Sequence, residues 1–118
     1  MNKLEHSKTI KGDIKAAHKY IKEILEAPMA ADNLKIELLK KFEYIKEKPY
    51  SRPLVQDAFL ASLDIRSINV NNFAIFYKVR KNTDEKIEFE NIVTALRFMY
   101  SKRDWQNILK ENAIEGII

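Results

Sequence analysis

In the first half of the chain, apolar residues recur at steps of three and four, which is the spacing of a helix with one buried face. The chain carries two such stripes, namely Ile10, Ile14, Ala17, Ile21 and Ile24, then Ala31, Leu34, Leu38, Phe42 and Ile45. Ser7 is the predicted N-cap of the first helix. Pro28 and Pro49 are predicted to end the two helices, because the residue before a proline is pushed out of the α region. The short connection between the stripes predicts an antiparallel helical hairpin.

From residue 65 onward the apolar positions alternate with a period of two, which is typical of strands. Residues 65–70 and 73–79 form two predicted strands, joined by Asn71 and Asn72, since asparagine tolerates the positive φ of a tight turn. A polar loop over 81–86 leads to a third predicted strand over 87–100. Its alternation slips near Asn91, which predicts a bulge there.

The remaining segments complete the predicted fold. Residues 4–6 are expected to add a short edge strand, 48–64 to form a linker, and 104–109 to form a closing helical turn. The sequence therefore predicts an α+β fold with a helical hairpin packed on one face of a small antiparallel sheet, in the order β-α-α-β-β-β. Residues 1–110 are expected to form one domain, followed by a C-terminal tail over 111–118.

Composition excludes several classes of site. The 118 residues contain no cysteine, two histidines and two glycines, so thiolate metal sites and Gly-rich phosphate loops are ruled out. We expect neither a metal nor a cofactor. The N-terminus lacks the apolar core of a signal peptide, and no apolar run approaches the ~20 residues of a membrane helix. The chain is therefore expected to be cytoplasmic, without a membrane partner.

Cations stand next to aromatic residues along the predicted strands, and the net charge is +4. A helical hairpin covers one face of a sheet only, so the face with Ala74, Phe76, Lys78 and Arg80 is expected to be open. A planar guanidinium bonds two phosphate oxygens at once, so such a face is suited to an anionic partner. The candidate binding residues are Arg66, Lys78, Arg97, Tyr100, Lys102 and Arg103.

Several residues of the predicted strands also have a purely structural interpretation. Arg66 is equally compatible with an ion pair to Asp57 or Asp64. The residues Tyr77 and Trp105 are better explained as core than as part of a site, and neither histidine lies near the predicted sheet.

Residues 65–79 and 97–105, with the helical segments before them, resemble the RelE/ParE toxins of bacterial type II toxin–antitoxin systems. The resemblance covers about residues 3–109, and it depends on the order and spacing of several motifs. These are Asp13-Ile14, Tyr20-Ile21, Leu25, Pro28 and Ala31 in the hairpin, Pro53 to Asp57 before the sheet, Ile65 to Val79, and Arg97 to Trp105.

The resemblance implies a small toxin that a neighbouring, acidic antitoxin neutralises. RelE-like members cut mRNA in the ribosomal A site, and ParE-like members poison DNA gyrase. In the RelE-like interpretation, which we expect from the sequence, Arg66, Arg103 and Tyr100 are catalytic. Lys78, Lys102 and Arg97 would bind substrate, without a metal ion, on the ribosome.

The alternative is a gyrase inhibitor, which is a protein-binding function. Ala74 favours it, because RelE-like members often carry a basic residue at that position. A chain of this fold that binds a partner without being toxic is a third hypothesis.

Overall fold

The computed structural model describes residues 1–118 and consists of one four-stranded sheet with helices on both faces. The first helix continues into a π-helical turn, Tyr20–Ile24. The predicted class and order of elements are confirmed, with one short helix added inside the predicted linker. In chain order the elements are β1 (Asn2–His6), α1 (Lys8–Lys19), α2 (Pro28–Glu47), α3 (Ala58–Ser62), β2 (Ile65–Val70), β3 (Phe73–Lys81), β4 (Asn91–Tyr100) and α4 (Trp105–Ile114).

The sheet is mixed, with the strand order β1-β4-β3-β2. β2–β3 and β3–β4 are antiparallel, whereas β1 runs parallel to β4, so the prediction of a wholly antiparallel sheet is wrong at this edge. The helical hairpin separates β1 from the other strands, so no tight turn fixes its direction. The irregularity predicted near Asn91 lies at Leu96 instead, because the two neighbours of Leu96 pair with Phe76 and Tyr77.

β4 begins at Asn91, four residues after the predicted start at Ile87. The side-chain amide of Asn82 donates to the carbonyl oxygens of Asp84, Ile87 and Phe89 at 3.1, 2.9 and 2.8 Å. These bonds hold the segment as a loop, although its apolar residues alternate as they would in a strand.

The helical hairpin covers one face of the sheet, as the sequence predicts. All five residues of the α2 stripe are buried, and Ser7 caps α1 by accepting from the Ile10 amide at 3.0 Å. In the first stripe Ile10 is buried, but Ile24 is 68% exposed beyond the end of α1. Pro28 is the first residue of α2, where a proline is well tolerated, so it does not end the first helix. Pro49 follows the end of α2, as predicted.

The other face of the sheet is also covered, which corrects the expectation that it is open. α3 and α4 pack there, and Ala74 and Phe76 are 4% and 1% exposed. α4 is ten residues long, so the predicted closing turn and part of the predicted tail form one helix. Trp105 packs on Phe76 with ring centroids 4.9 Å apart, in line with the predicted core role. None of the helices combines the length and apolar character that a bilayer span requires.

Candidate functional site

A cleft of about 910 Å³ lies where the helical hairpin meets one end of the sheet. We call it the hairpin groove. Twelve of its 16 lining residues are hydrophobic, so its chemistry is mainly apolar. The lining residues are Asp13, Ala16, Ala17, Tyr20, Ile21, Leu25, Ala27, Ala30, Leu34, Asn71, Asn72, Phe73, Phe98, Met99, Tyr100 and Arg103.

The π-helical turn forms one wall of the hairpin groove. The Leu25 amide donates to the Tyr20 carbonyl at 3.1 Å, and the Ala27 amide donates to the Ile21 carbonyl at 3.0 Å. This wide turn places Tyr20, Ile21 and Leu25 on the groove, and the chain leaves the helix through Glu26, whose φ is 51°. Tyr20 and Leu25 remain about half exposed. Isolated π turns are frequent at functional sites.

The facing wall is aromatic and comes from the ends of β3 and β4. Phe73 stacks on Phe98 with centroids 4.9 Å apart and meets the edge of Tyr100 at 5.8 Å. The backbone amide and the hydroxyl of Ser101 both donate to the Asn72 carbonyl, at 2.8 and 2.7 Å. These bonds connect the turn after β4 to the β2–β3 turn.

Two of the predicted site residues, Tyr100 and Arg103, lie on the hairpin groove. Tyr100 is 42% exposed, and Arg103 is an exposed cation with no carboxylate within 4.0 Å. Lys102 is exposed in the same turn. The sequence therefore identified one rim of the groove, but it did not identify Tyr20, Leu25 or the facing helical wall.

Arg66 lies at a different place. It pairs with Tyr77 across β2 and β3, its guanidinium donates to the Arg52 carbonyl, and its Cζ atom is 5.3 Å from the centre of the Tyr50 ring. Lys78, partly buried, follows Tyr77 on β3 and so projects from the opposite face of the sheet. The structure therefore does not bring Arg66 and Lys78 together on one face.

The positions of Arg66 and Arg103 along the sheet are far apart. Arg66 lies level with Tyr77, whereas Tyr100, three residues before Arg103, lies level with Phe73. Four residues of β3 separate these levels, or about 13 Å of extended chain. The two arginines predicted to hold one phosphate thus start from levels of the sheet that are about 13 Å apart along the strands.

Neither of the alternative partners for Arg66 is within salt-bridge distance of it. Asp57 instead accepts from Lys110 at 2.8 Å and from the Leu60 amide at 3.0 Å. The bond from Lys110 is the main reason that the pKa of the Asp57 carboxyl is lowered. Asp57 therefore caps α3 and connects it to α4.

Arg97 was predicted to bind substrate, but the structure buries it. Its guanidinium donates to both carboxylate oxygens of Asp13, at 2.7 and 3.1 Å, and to the Asn112 side chain at 2.6 Å. Asp13 also accepts from the Phe98 amide at 3.0 Å. Arg97 thus connects β4 with α1 and α4, and it presents no charge to a ligand.

The two histidines and the buried Tyr77 lie outside the hairpin groove. His6 packs edge-on against Phe42, and burial lowers its pKa. His18 lies 3.6 Å from a carboxylate oxygen of Asp32. The buried hydroxyl of Tyr77 has no hydrogen-bond partner, and desolvation raises its pKa to about 12. None of these four residues lines the groove, so they do not supply it with a general base.

A family model described as "ParE toxin of type II toxin-antitoxin system, parDE" matches residues 4–105. No curated protein matches the chain. The matched span contains the helical hairpin, the strands β2 to β4, most of β1 and every residue of the hairpin groove.

Proposed function

The chain belongs to the ParE toxin family of type II toxin–antitoxin systems, and we propose that it acts by binding and inhibiting DNA gyrase in the cytoplasm. As the toxin of such a pair it has a cognate antitoxin as its partner. Inhibition of gyrase is the alternative that the sequence left open, and it requires a protein-binding surface in place of a nuclease centre.

The separation of Arg66 from Arg103 carries this proposal. Metal-independent cleavage of RNA requires cations that converge on one phosphate, because charge develops on its non-bridging oxygens in the transition state. It also requires a group that accepts the proton of the 2′-hydroxyl. Arg66 and Arg103 start from levels of the sheet about 13 Å apart along the strands, and Arg97 is engaged by Asp13.

The covered second face of the sheet supports the same conclusion. Ala74, where RelE-like members often carry a basic residue, is buried in the apolar layer beneath α4. A cation at this position would have no access to solvent or substrate while α4 is in place. The small side chain at Ala74 is thus explained by packing.

The hairpin groove has the composition of a protein-binding surface. The centres of protein interfaces are apolar and enriched in tyrosine, phenylalanine and arginine, which carry most of the binding energy. Tyr20, Leu25 and Tyr100 are exposed on the groove, and Arg103 lies on its rim. We propose that this groove contacts gyrase.

A ribosome-dependent mRNA endonuclease is the second candidate, and one observation favours it. Tyr100, Lys102 and Arg103 form an exposed group without an acidic partner at the end of β4. Such a group is able to bind a phosphate. In this case the ribosome would have to supply the remaining catalytic groups.

Induction of the toxin in cells without its antitoxin tests the two candidates. We expect growth arrest with gyrase–DNA breaks and with translated mRNA left intact, and Arg103→Ala should weaken the arrest. Lys86→Ala, which removes an exposed cation from the 82–90 loop, is the matched control. Cleavage of mRNA at codon boundaries without gyrase–DNA breaks would refute the gyrase proposal.

A further inference from the structure

A second basic surface lies between α2 and the edge strand β2, on residues that do not line the hairpin groove. It consists of Lys41 and Lys48 on and just after α2, Arg52 in the following linker, and Arg66 on the edge strand β2. We call these four residues the α2–β2 patch. Of the four, only Arg66 is among the predicted site residues.

Short contacts within the chain hold the patch together. Lys48 lies 5.9 Å from the centre of the Tyr44 ring, and Arg66 lies over Tyr50. Arg66 also donates to the Arg52 carbonyl. A shallow cleft of about 370 Å³, lined in part by Lys41, Tyr44 and Arg52, joins the helix to the edge strand. The four cations are therefore parts of one surface.

The charge of the patch is not compensated by the chain. None of its four cations has a carboxylate within 4.0 Å, and Glu37, the acidic residue one turn before Lys41, pairs with Lys40 instead. Elsewhere in the molecule Arg97 and Lys110 are paired with carboxylates at 2.7 and 2.8 Å. Four adjacent unpaired cations on one surface repel each other, and an external anion would relieve that repulsion.

We propose that the α2–β2 patch binds the phosphodiester backbone of duplex DNA. Phosphate oxygens are acceptors only, so they match a surface whose side chains mainly donate. Single-strand sites rely on free aromatic faces, whereas Tyr44 and Tyr50 each already carry a cation of the chain over the ring. An acidic protein segment is the alternative ligand, and competition with poly-glutamate tests for it.

Binding of DNA by the α2–β2 patch does not depend on the proposed inhibition of gyrase, because it concerns the toxin and DNA alone. A chain that binds DNA through the patch but leaves supercoiling unaffected would refute the proposed function and leave this inference intact. A chain that inhibits gyrase without binding free DNA would do the reverse.

Fluorescence anisotropy of the full chain with a short labelled duplex of mixed sequence is the test. The log of the affinity should fall with the log of salt with a slope of about −3 to −4, as four phosphate contacts require. The double variant Lys48→Ala/Arg52→Ala should weaken binding about tenfold or more at low salt and make the slope shallower by about two. Its control, Lys81→Ala/Lys86→Ala, removes the same charge from exposed positions outside the patch and should bind as the unmodified chain does.

Three results would overturn the inference. The first is an equal loss of duplex affinity in both double variants, because the attraction between the chain and DNA would then depend on net charge alone. The second is tighter binding of a labelled single strand than of the duplex. The third is displacement of the duplex from the patch by poly-glutamate at equal charge concentration, which would indicate an acidic protein as the ligand.

Discussion

Arg97 and Asp13 form a two-point ion pair between residues that are 84 positions apart in the chain. The two side chains are 10% and 15% exposed. The Oδ2 atom of Asp13, which accepts from Arg97 Nε, also accepts a hydrogen bond from the Phe98 amide. The pair fixes α1 against the part of β4 that extends beyond β1. Because Asp13 also lines the hairpin groove, this structural contact determines the position of one groove wall.

Replacement of Asp13 should destabilise the fold strongly. Asp13→Ala leaves the Arg97 guanidinium buried without its counter-ion, and losses of about 3–5 kcal/mol are typical of such changes. The measurement is the free energy of unfolding by urea. In the double variant Asp13→Ala/Arg97→Met the unpaired charge is absent, so the loss should be smaller than in Asp13→Ala alone. Equal stability of Asp13→Ala and the unmodified chain would show that the pair contributes nothing.

A cation introduced at Ala74 should destabilise the protein without creating nuclease activity. The side chain is 4% exposed beneath α4, so Ala74→Lys places three extra carbons and a charged nitrogen in a filled apolar layer. We expect a loss of at least about 2 kcal/mol, from overpacking and burial of a charge. Ala74→Ser, with a similar volume, is the control and should lose less. Thermal unfolding measures both, and an unchanged melting temperature in Ala74→Lys would contradict the position of α4.

The hydroxyl of Tyr77 should make stability depend on pH above its ordinary range. The pKa of this group is raised from 10.0 to about 12 in the folded chain, so between these values the unfolded state loses its proton first. The contribution of this hydroxyl to the free energy of unfolding is therefore fully present below pH 10. It is lost as the pH rises toward 12, by about 1.4 kcal/mol per pH unit at most. Tyr77→Phe should lack this part of the decline.

At neutral pH Tyr77→Phe should be as stable as the unmodified chain or more stable, because it removes an unpaired buried hydroxyl. Urea unfolding at pH 7 and pH 11 compares the two proteins, and the difference between them cancels the other tyrosines and lysines. A parallel decline in both proteins would show that Tyr77 does not titrate as described.

The helical hairpin was predictable because its information is local. The α2 residues Ala31, Leu34, Leu38, Phe42 and Ile45 follow one helical stripe, and burial of that stripe is the only arrangement that removes all five from water. Ser7 and the Asn71-Asn72 turn are local in the same sense. The order of the elements follows directly from these patterns.

The parts that were not predictable depend on contacts distant in sequence. From the sequence Arg97 is predicted to be a surface cation on a strand. Only the folded chain brings Asp13 and Asn112 into contact with it. In the loop before β4, apolar and polar residues alternate as they do in a strand. Hydrogen bonds from the side-chain amide of Asn82 hold this segment as a loop instead. The burial of Ala74 depends on α4, and the end signal of that helix, Gly116 with a φ of 76°, was not recognised in the sequence. For the same reason the groove wall at Tyr20 and Leu25 was missed, since the π turn has no clear sequence pattern.

A supercoiling assay with purified gyrase, relaxed plasmid and the purified chain tests the central claim most directly. The unmodified chain should inhibit supercoiling, and Leu25→Asp should reduce the inhibition about tenfold or more, because it places a charge on the apolar groove. Leu39→Asp is the matched control, since Leu39 is 69% exposed on α2 outside the groove, and it should inhibit as the unmodified chain does. Unimpaired supercoiling in the presence of the folded, unmodified chain would contradict the account.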